Sequence, residues 1–442
     1  MLQMKQLLAK TKGDKIIWGV VILLSLISLL VVYSSTGLLA YKREQSASHY
    51  LIKQLMILAL GLFIIYRVHK INYTKFAKVA SILYVFSLPL LLLTLIFGSK
   101  VHNSSRFIML PIINISFQSS DLAKLALFMF LARTLSIKQP IIENLKQGFF
   151  PVLFPMILTC VLIAPSNLST ALMLGITCFI LFFIGRVKFT HLLLLIGIGI
   201  VTVTLIYVLS IATGYGRGTV WKKRVNEFFS AGKQQNGKEG GDFQVQQAKI
   251  AIANGGFTGL GPGNSIQRNN LPFCFSDFIY AIIIEEYGLL GGGFVIALYL
   301  IFLWRSIIIF KRCPYAFGAF LAVGLSITLV FQAMLNMAVT VHIVPVTGLT
   351  LPMISMGGSS IWFTSIAIGI ILSVSRYVDE MEGEKRNDKK VVSKLYVQEN
   401  KEPKKNPIVV PVMDAATTAT EKKGRRNQGT GNSLKIVSTL DD

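Results

Sequence analysis

Residues 16–38 read IIWGVVILLSLISLLVVYSSTGL, a run without a single charged side chain. The hydrocarbon core of a bilayer is about 30 Å thick, so a helix needs about 20 apolar residues to cross it. This run is long enough, and four lysines precede it: Lys5, Lys10, Lys12 and Lys15. No convincing small-residue cleavage site follows. The pattern therefore predicts a retained first transmembrane helix and not a cleaved signal peptide.

Apolar runs of this kind recur along the chain, and they predict an all-α polytopic membrane protein with about ten transmembrane helices. The runs lie at 16–38, 53–67, 76–98, 120–137, 149–164, 168–186, 189–211, 278–309, 317–339 and 357–375. The second and fifth runs are short, and the eighth carries two glutamates and four glycines in its first half. After Arg376 the sequence becomes charged and poor in aromatic residues, which predicts a disordered cytoplasmic tail over 377–442.

The composition excludes several other classes of protein. Of the 442 residues, 53% are hydrophobic and 15% are charged, whereas soluble chains carry about 25% charged residues. A soluble protein, an intrinsically disordered chain, a collagen and a disulfide scaffold are all excluded on this ground. The four cysteines, Cys160, Cys178, Cys274 and Cys313, have no metal-ligand spacing, so no protein-held metal is predicted from them.

The charge balance is strongly basic, with 44 Lys and Arg against 21 Asp and Glu and a net charge of +23. In a soluble chain this would suggest nucleic acid. Here much of the excess lies between apolar runs, where it suits anionic lipid headgroups, so no nucleic-acid partner is predicted. Lysine and arginine are commoner in the short loops on the side of the N-terminus. Residues 1–15 and the tail are therefore predicted to be cytoplasmic, and the long loop 212–277 between spans seven and eight to be extracytoplasmic.

Polar residues are costly in a membrane and therefore informative. Asp277 is the last charge before the eighth run, at the outer face, where partial desolvation could raise the pKa of its carboxyl toward that of a useful base. A helix N-cap is an equally good interpretation of the same residue. The preceding loop contains Arg224, Gln244 and the glycine-rich stretch 255–263, which could be a flexible linker or a phosphate cradle.

Three further polar stretches lie at the same predicted face. The first contains Arg106 and then Asp121 and Lys124, which are spaced as an ion pair on one helical face and could form a cationic site for a phosphate headgroup. The second, PVTGLTLP followed by SMGGSS over 345–360, predicts a broken or re-entrant segment, with Asn336 one turn into the adjoining span. The third, 165–171, is typical of a turn with a capping Ser or Thr.

In this order, these stretches resemble the SEDS family of bacterial membrane proteins (shape, elongation, division and sporulation). The resemblance covers residues 16 to 376. It rests on Val-Tyr-Ser-Ser at 32–35, on Asp277 followed by Glu285 and Glu286, and above all on the string at 345–360. The family's Gln-Pro-Ser-Glu reads Gln-Ser-Ser-Asp at 118–121 here, and its Arg-Arg-Trp reads Ser-Arg-Phe at 105–107. Its Pro-Asp-x-Gly-Thr-Ala gives way to 165–171, without the carboxylate.

The resemblance implies a peptidoglycan glycosyltransferase that polymerises lipid II at the outer face of the bacterial cytoplasmic membrane. It implies Asp277 as the catalytic base, with Glu285 and Glu286 as structural members of the site. The remaining expected substrate-binding residues are Lys124, Arg106, Asp121, Arg224, Gln244, Ser355, Gly357, Gly358 and Ser359. A divalent cation (Mg²⁺ or Mn²⁺) could assist the departing pyrophosphate. The implied partners are a class B penicillin-binding protein, which supplies the transpeptidase, and other divisome proteins.

Two alternatives from other functional classes stay open. A lipid II flippase would also use about ten spans and a broken helix, but its polar groups should cross the midplane, whereas here they gather at one face. A non-catalytic scaffold is less consistent with Asp277. Within the family, the long charged tail favours an FtsW-like role in septal wall synthesis over a RodA-like role in elongation.

Overall fold

The computed structural model describes residues 13–42, 44, 46–97, 99–101, 104–110, 115–213, 241–271 and 274–399. Residues 1–386 form one compact unit and the remainder a second. The helices are α1 (Lys15–Ser35), α2 (Gly37–Lys42), α3 (Ala47–His69), α4 (Thr74–Phe97), α5 (Ser119–Lys138), α6 (Phe150–Ile163), α7 (Leu168–Ile184), α8 (Phe189–Thr213), α9 (Gly241–Gly255), α10 (Ile279–Arg312), α11 (Ala316–Thr340) and α12 (Ser359–Glu399).

The predicted polytopic helical fold is confirmed. Within the described residues, eight helical segments are long and apolar enough to cross a membrane: Lys15–Ser35, Ser48–His69, Thr74–Phe97, Leu145–Ile163, Phe189–Leu209, Ile279–Arg312, Ala316–Thr340 and Ser359–Gly383. Helix α7 is apolar but shorter. Helix α5 has 20 residues and carries four charged side chains. Its position inside the bundle allows these charges. These ten helices coincide with the ten predicted runs, and the number that cross a membrane stays a prediction.

A small antiparallel sheet lies between α4 and α5 and leaves the predicted helical fold class unchanged. Its strands are β1 (Ser99–Val101), β2 (Ser104–Leu110) and β3 (Ile115–Gln118), in the order β1-β2-β3. In the second pairing, Phe107 lies opposite Gln118 and Leu110 opposite Ile115. Because β3 leads directly into α5, the sheet fixes the direction from which the polar start of α5 enters the bundle.

Two further elements differ from the sequence-based expectation. The long loop 212–277 contains α9, which packs against α10 through buried Ala248 and Ala251. The last helix does not end at Arg376 but continues through Glu399. Arg376 and Glu380 form an i,i+4 ion pair at the beginning of this continuation, with 3.8 Å between Nε and Oε1. Disorder of residues 400–442 stays a prediction about residues outside the described ones.

The core is centred on α10 and α11, which pack against each other and against α1, α5 and α7. Helix α1 begins at the end of the bundle where Asp14 meets Arg305 of α10 and Ser375 of α12. It ends beside the first turns of α10. We call the latter the Asp277 end of the bundle, because Asp277 lies immediately before α10.

Candidate functional site

Asp277 lies just before α10 and is half-buried. The helix begins at Ile279 and its N-cap position is Phe278, so the interpretation of Asp277 as the N-cap residue is wrong by one position. One carboxylate oxygen of Asp277 accepts a hydrogen bond from the Ser276 hydroxyl at 3.1 Å. The carboxylate therefore lies immediately before the first turn of α10.

The backbone around Asp277 is held at three successive carbonyls. Each carbonyl accepts a hydrogen bond from α11 or from the irregular segment 341–358 that follows it. The pairs are Met356 N to Phe275 O at 3.0 Å, Ser355 Oγ to Ser276 O at 2.7 Å, and Asn336 Nδ2 to Asp277 O at 2.8 Å. The structure thus brings together two of the predicted polar stretches, which lie about 70 residues apart in the sequence.

The segment 341–358 is non-helical, as predicted, although it lies between two apolar helices. Irregular backbone among membrane helices requires partners within the protein. Four of its carbonyls accept hydrogen bonds from buried side chains of three different helices. The pairs are Asn336 with Leu349, Gln332 with Thr350, Tyr299 with Pro352, and Ser28 with Ile354. The segment is therefore a fixed part of the site and not a free loop.

The predicted substrate-binding residues of this segment have internal contacts. The Ser355 hydroxyl is buried, donates to Ser276 O and accepts from Leu351 N. Ser359 is buried and accepts from the backbone N–H of Gln118. Gly358 has a φ of +50°, a conformation that glycine adopts without strain. These contacts favour positioning over direct substrate binding for the two serines.

Lys124 and Asp121 form the predicted ion pair, with 2.8 Å between Nζ and Oδ1, and both side chains are buried. Lys124 Nζ also donates to Gln332 Oε1 at 3.0 Å, and Gln332 Nε2 donates to Thr350 O at 2.9 Å. The second oxygen of Asp121 is buried and has no hydrogen-bond partner within the described residues.

The cavity beside this ion pair has a volume of about 40 Å³ and is also lined by Ser360 and Thr364. That volume accommodates a water molecule and is too small for a pyrophosphate group. A phosphate contact to Lys124 therefore requires this part of the structure to open.

Glu285 and Glu286 behave as structural residues, in line with the role that the resemblance implies. Glu285 is fully buried and accepts hydrogen bonds from the side chains of Asn254 and Ser265 and from the backbone N–H groups of Ile266 and Gln267. Glu286 accepts a hydrogen bond from Ser34 of α1. Together they anchor the loop that follows α9 and the end of α1 to α10.

The glycine-rich stretch 255–263 packs against α10, and its role as a linker or a phosphate cradle stays a prediction. Its amides donate within the protein, from Gly259 N to Gly255 O and from Gly261 N to Glu286 O. Helix α10 is interrupted at Gly288, where φ is +68°. A β-carbon on Gly288 would lie 2.2 Å from Phe257 O. The glycines therefore let two backbone segments pack directly on each other.

The remaining predicted residues have fewer described contacts with the site. Gln244 is half-buried on the first turn of α9. Arg106 lies in β2, but its side chain lies outside the described part of the structure. Arg224 is outside the described residues altogether. Within the 165–171 stretch, residues 165–167 form the predicted turn and Leu168 begins α7. The N-cap residue is Asn167 and not a Ser or Thr, and its side chain donates to Thr170.

Residues 14–380 match the family of cell cycle proteins that comprises FtsW, RodA and SpoVE. The chain belongs to this family. Stage V sporulation protein E of Bacillus subtilis (strain 168) is 32% identical over 374 residues, covering 83% of this chain and 98% of the relative. A probable peptidoglycan glycosyltransferase FtsW of Trichlorobacter lovleyi is 32% identical over 366 residues, covering 82% of this chain and 93% of the relative.

Solved structures of the FtsW/RodA/SpoVE family have the same fold. One belongs to a study entitled "Structural coordination of polymerization and crosslinking by a peptidoglycan synthase complex" and superimposes with a TM-score of 0.63 at 25% identity, covering 83% of this chain and 98% of that chain. The crystal structure of the Rod shape determining protein RodA of Thermus thermophilus superimposes with a TM-score of 0.59 at 22% identity, covering 82% and 97%.

Two residues with polar contacts in this region, Gln332 and Arg268, were not singled out from the sequence of this FtsW/RodA/SpoVE family member. Gln332 lies four residues before Asn336 in an otherwise apolar span, and that spacing could have indicated it. Arg268, whose guanidinium lies 3.4 Å from Ser34 Oγ, gave no comparable signal. Its partners come from α1, more than 200 residues away.

Proposed function

We propose that this chain is a peptidoglycan glycosyltransferase that polymerises lipid II into glycan strands, with a role in septal wall synthesis. The observation that carries the proposal is the placement of Asp277. Its carboxylate is half-exposed at the start of α10, while its backbone and that of its two predecessors are held by three long-range hydrogen bonds. A general base needs this combination of access and fixed position.

The reaction joins the 4-hydroxyl of an acceptor N-acetylglucosamine to the anomeric carbon of the donor. The new C–O bond forms as the bond between that carbon and the pyrophosphate breaks, with inversion, and undecaprenyl pyrophosphate leaves. The Asp277 carboxylate takes the proton of the attacking hydroxyl, a contribution of roughly 10²–10⁴-fold. Pyrophosphate is a good leaving group, so the second carboxylic acid of glycosidases is not required.

We assign the stabilisation of the negative charge on the departing pyrophosphate to basic residues at the same end of the bundle. Lys124 is the strongest candidate because only two of its three N–H donors have partners within the described residues, so that the third can donate to a phosphate oxygen. Arg106 and Arg224 complete the assignment. Mg²⁺ is typically held by one or two carboxylates together with substrate phosphates. The described residues contain no group of three metal-ligating side chains, so a divalent cation would be bound together with the substrate.

We place the Asp277 end of the bundle at the outer face of the bacterial cytoplasmic membrane, with both termini in the cytoplasm. The Lys and Arg bias of the short loops supports this orientation. We also assign a class B penicillin-binding protein as partner, together with other divisome proteins. The similarity to a chain of a peptidoglycan synthase complex supports the first of these, and the FtsW relatives support the septal role.

The test is glycan-strand formation from purified lipid II, with the chain alone and with its cognate penicillin-binding protein. Asp277→Asn should insert and fold normally but form no polymer. Glu143→Gln, which removes an exposed carboxylate, is the matched control and should polymerise as the unmodified chain does. Polymer from Asp277→Asn would remove Asp277 as the base. Lipid II translocation without polymer, even with the partner, would favour the flippase.

A further inference from the structure

Gln332 and Asn336 lie one turn apart on α11, and both side chains are almost completely buried, with exposed fractions of 4% and 1%. Residues four apart on a helix share a face. Buried amide groups in an apolar span cost free energy unless their donors and acceptors are used. The contacts of these two amides therefore indicate why the span contains them.

Each amide contacts elements other than its own helix. Gln332 accepts from Lys124 Nζ through Oε1 at 3.0 Å and donates to Thr350 O through Nε2 at 2.9 Å. Asn336 uses Nδ2 for two carbonyls, Leu349 O at 2.7 Å and Asp277 O at 2.8 Å. Thr350 and Leu349 are adjacent, so the two amides hold successive carbonyls of the segment 341–358.

The result is a continuous polar connection between the two chemically important ends of the site. It runs from Lys124 through Gln332 to Thr350, across one peptide unit to Leu349, and through Asn336 to Asp277. The cavity beside Lys124 is only about 40 Å³. A phosphate that engages Lys124 must therefore widen this cavity, and Gln332 is one of its lining residues.

We infer that Gln332 and Asn336 are positioning residues, through which occupation of Lys124 by the donor's phosphates is coupled to the position of the Asp277 carboxylate. The inference rests on the proposed function. It assigns a distinct task to each half of the Gln332 amide: Oε1 orients Lys124, and Nε2 holds the segment that Asn336 also holds. Neither residue contacts the reacting atoms.

Other buried polar groups of α11 do not fit this description. The Ser326 hydroxyl, fully buried two turns before Gln332, donates to Ala322 O of its own helix at 2.7 Å. Ser326→Ala is therefore a matched control for the loss of a buried hydrogen bond in α11 that leaves the polar connection intact.

The experiment measures kcat and KM for lipid II polymerisation by the complex with the penicillin-binding protein. Asn336→Leu removes both N–H donors and keeps a similar side-chain volume. It should lower kcat by roughly 10²-fold, since a displacement of about 1 Å at a reacting group has this effect. It should leave KM nearly unchanged. Gln332→Leu should raise KM and lower kcat. Gln332→Glu retains an acceptor for Lys124 but no donor for Thr350 O, so it should restore KM and not kcat. Ser326→Ala should match the unmodified chain.

The outcomes separate this inference from the proposed function. If Asp277→Asn is inactive while Asn336→Leu has the kcat of Ser326→Ala, positioning by α11 is excluded and the base assignment stands. If Asp277→Asn polymerises lipid II, the proposed function fails whatever the other variants do. Equal kcat and KM losses in Gln332→Leu and Gln332→Glu would also overturn the inference. The amount of folded, monodisperse protein is measured for each variant, and activity is expressed per folded molecule.

Discussion

The carboxylate of Asp14 and the guanidinium of Arg305 form a buried ion pair at the end of the bundle opposite Asp277, with 2.7 Å between Nε and Oδ2 and 2.5 Å between Nη2 and the same oxygen. The other oxygen of Asp14 accepts from the backbone N–H of Ile16 at 2.9 Å, which caps α1. The backbone N–H of Asp14 donates to Ser375 of α12. One residue thus joins the start of α1 to two other helices.

Asp14→Asn should destabilise the protein by roughly 2–3 kcal/mol. Removing one partner of a buried pair costs about 3–5 kcal/mol, and the Arg305 side chain is 21% exposed, which reduces the loss. The measurement is thermal unfolding in detergent micelles. Glu143→Gln is the control because its partner Lys188 is 49% exposed, and exposed pairs contribute little. Equal melting temperatures for the two variants would contradict the prediction.

Gly288→Ala should reduce the yield of folded protein and its melting temperature. The added β-carbon would lie 2.2 Å from Phe257 O, a backbone atom, at a φ of +68°, and left-handed backbone alone costs a non-glycine residue about 1–3 kcal/mol. Gly293→Ala is the control, because its β-carbon would meet nothing within 4 Å and alanine favours helix. The prediction fails if both variants fold with the same yield.

Lys124→Ala should weaken the use of lipid II, seen as a lower kcat/KM for polymerisation. Asp121→Ala should have a similar effect, because it leaves the ammonium of Lys124 without its carboxylate, 2.8 Å away in the unmodified protein. Residues of one buried network are not additive, so the double variant should lose little more than either single variant. Lys249→Ala, at an exposed position of α9, should be nearly silent. A change confined to expression level would assign the pair a structural role alone.

A membrane-impermeant maleimide should label Ser46→Cys, but not Lys188→Cys, in intact spheroplasts. Ser46 lies between α1 and α3 and Lys188 between α7 and α8, so the two positions fall on opposite faces if the N-terminus is cytoplasmic. In the proposed orientation the native Cys274 is also on the outer side, but it does not interfere, because burial raises the pKa of its thiol to about 12 and the thiolate is the reactive form. Labelling of Lys188→Cys alone would reverse the orientation.

The helices that cross the apolar core were predictable because lipid imposes a simple rule on length and composition. The sheet was not, since its strands are only three, seven and four residues long. Helix α9 was missed because two of its buried residues, Ala248 and Ala251, are small and carry a weak hydrophobic signal. The extension of α12 was missed because its charged composition is typical of disorder.

The chemistry of the site was more predictable than its architecture. Asp277 and Lys124 stood out because charges are rare next to apolar runs. Their connection through Gln332 depends on contacts between α5 and α11, which lie more than 200 residues apart. No local pattern encodes such a pairing. The sequence analysis placed Ser355 and Ser359 among the substrate-binding residues. Their hydrogen-bond partners within the protein are likewise distant in the sequence and are visible only in the structure.

The break at Gly288 also joins α10 and the stretch 255–261 into one hydrogen-bonded unit. The backbone N–H groups of Leu289 and Leu290, just after the break, donate to Gly256 O and Phe257 O. In the opposite direction, the backbone N–H groups of Leu260 and Gly261 donate to Glu285 O and Glu286 O. Each segment therefore supplies backbone partners that the other needs. The two are expected to open together, as one cooperative unit in amide hydrogen exchange.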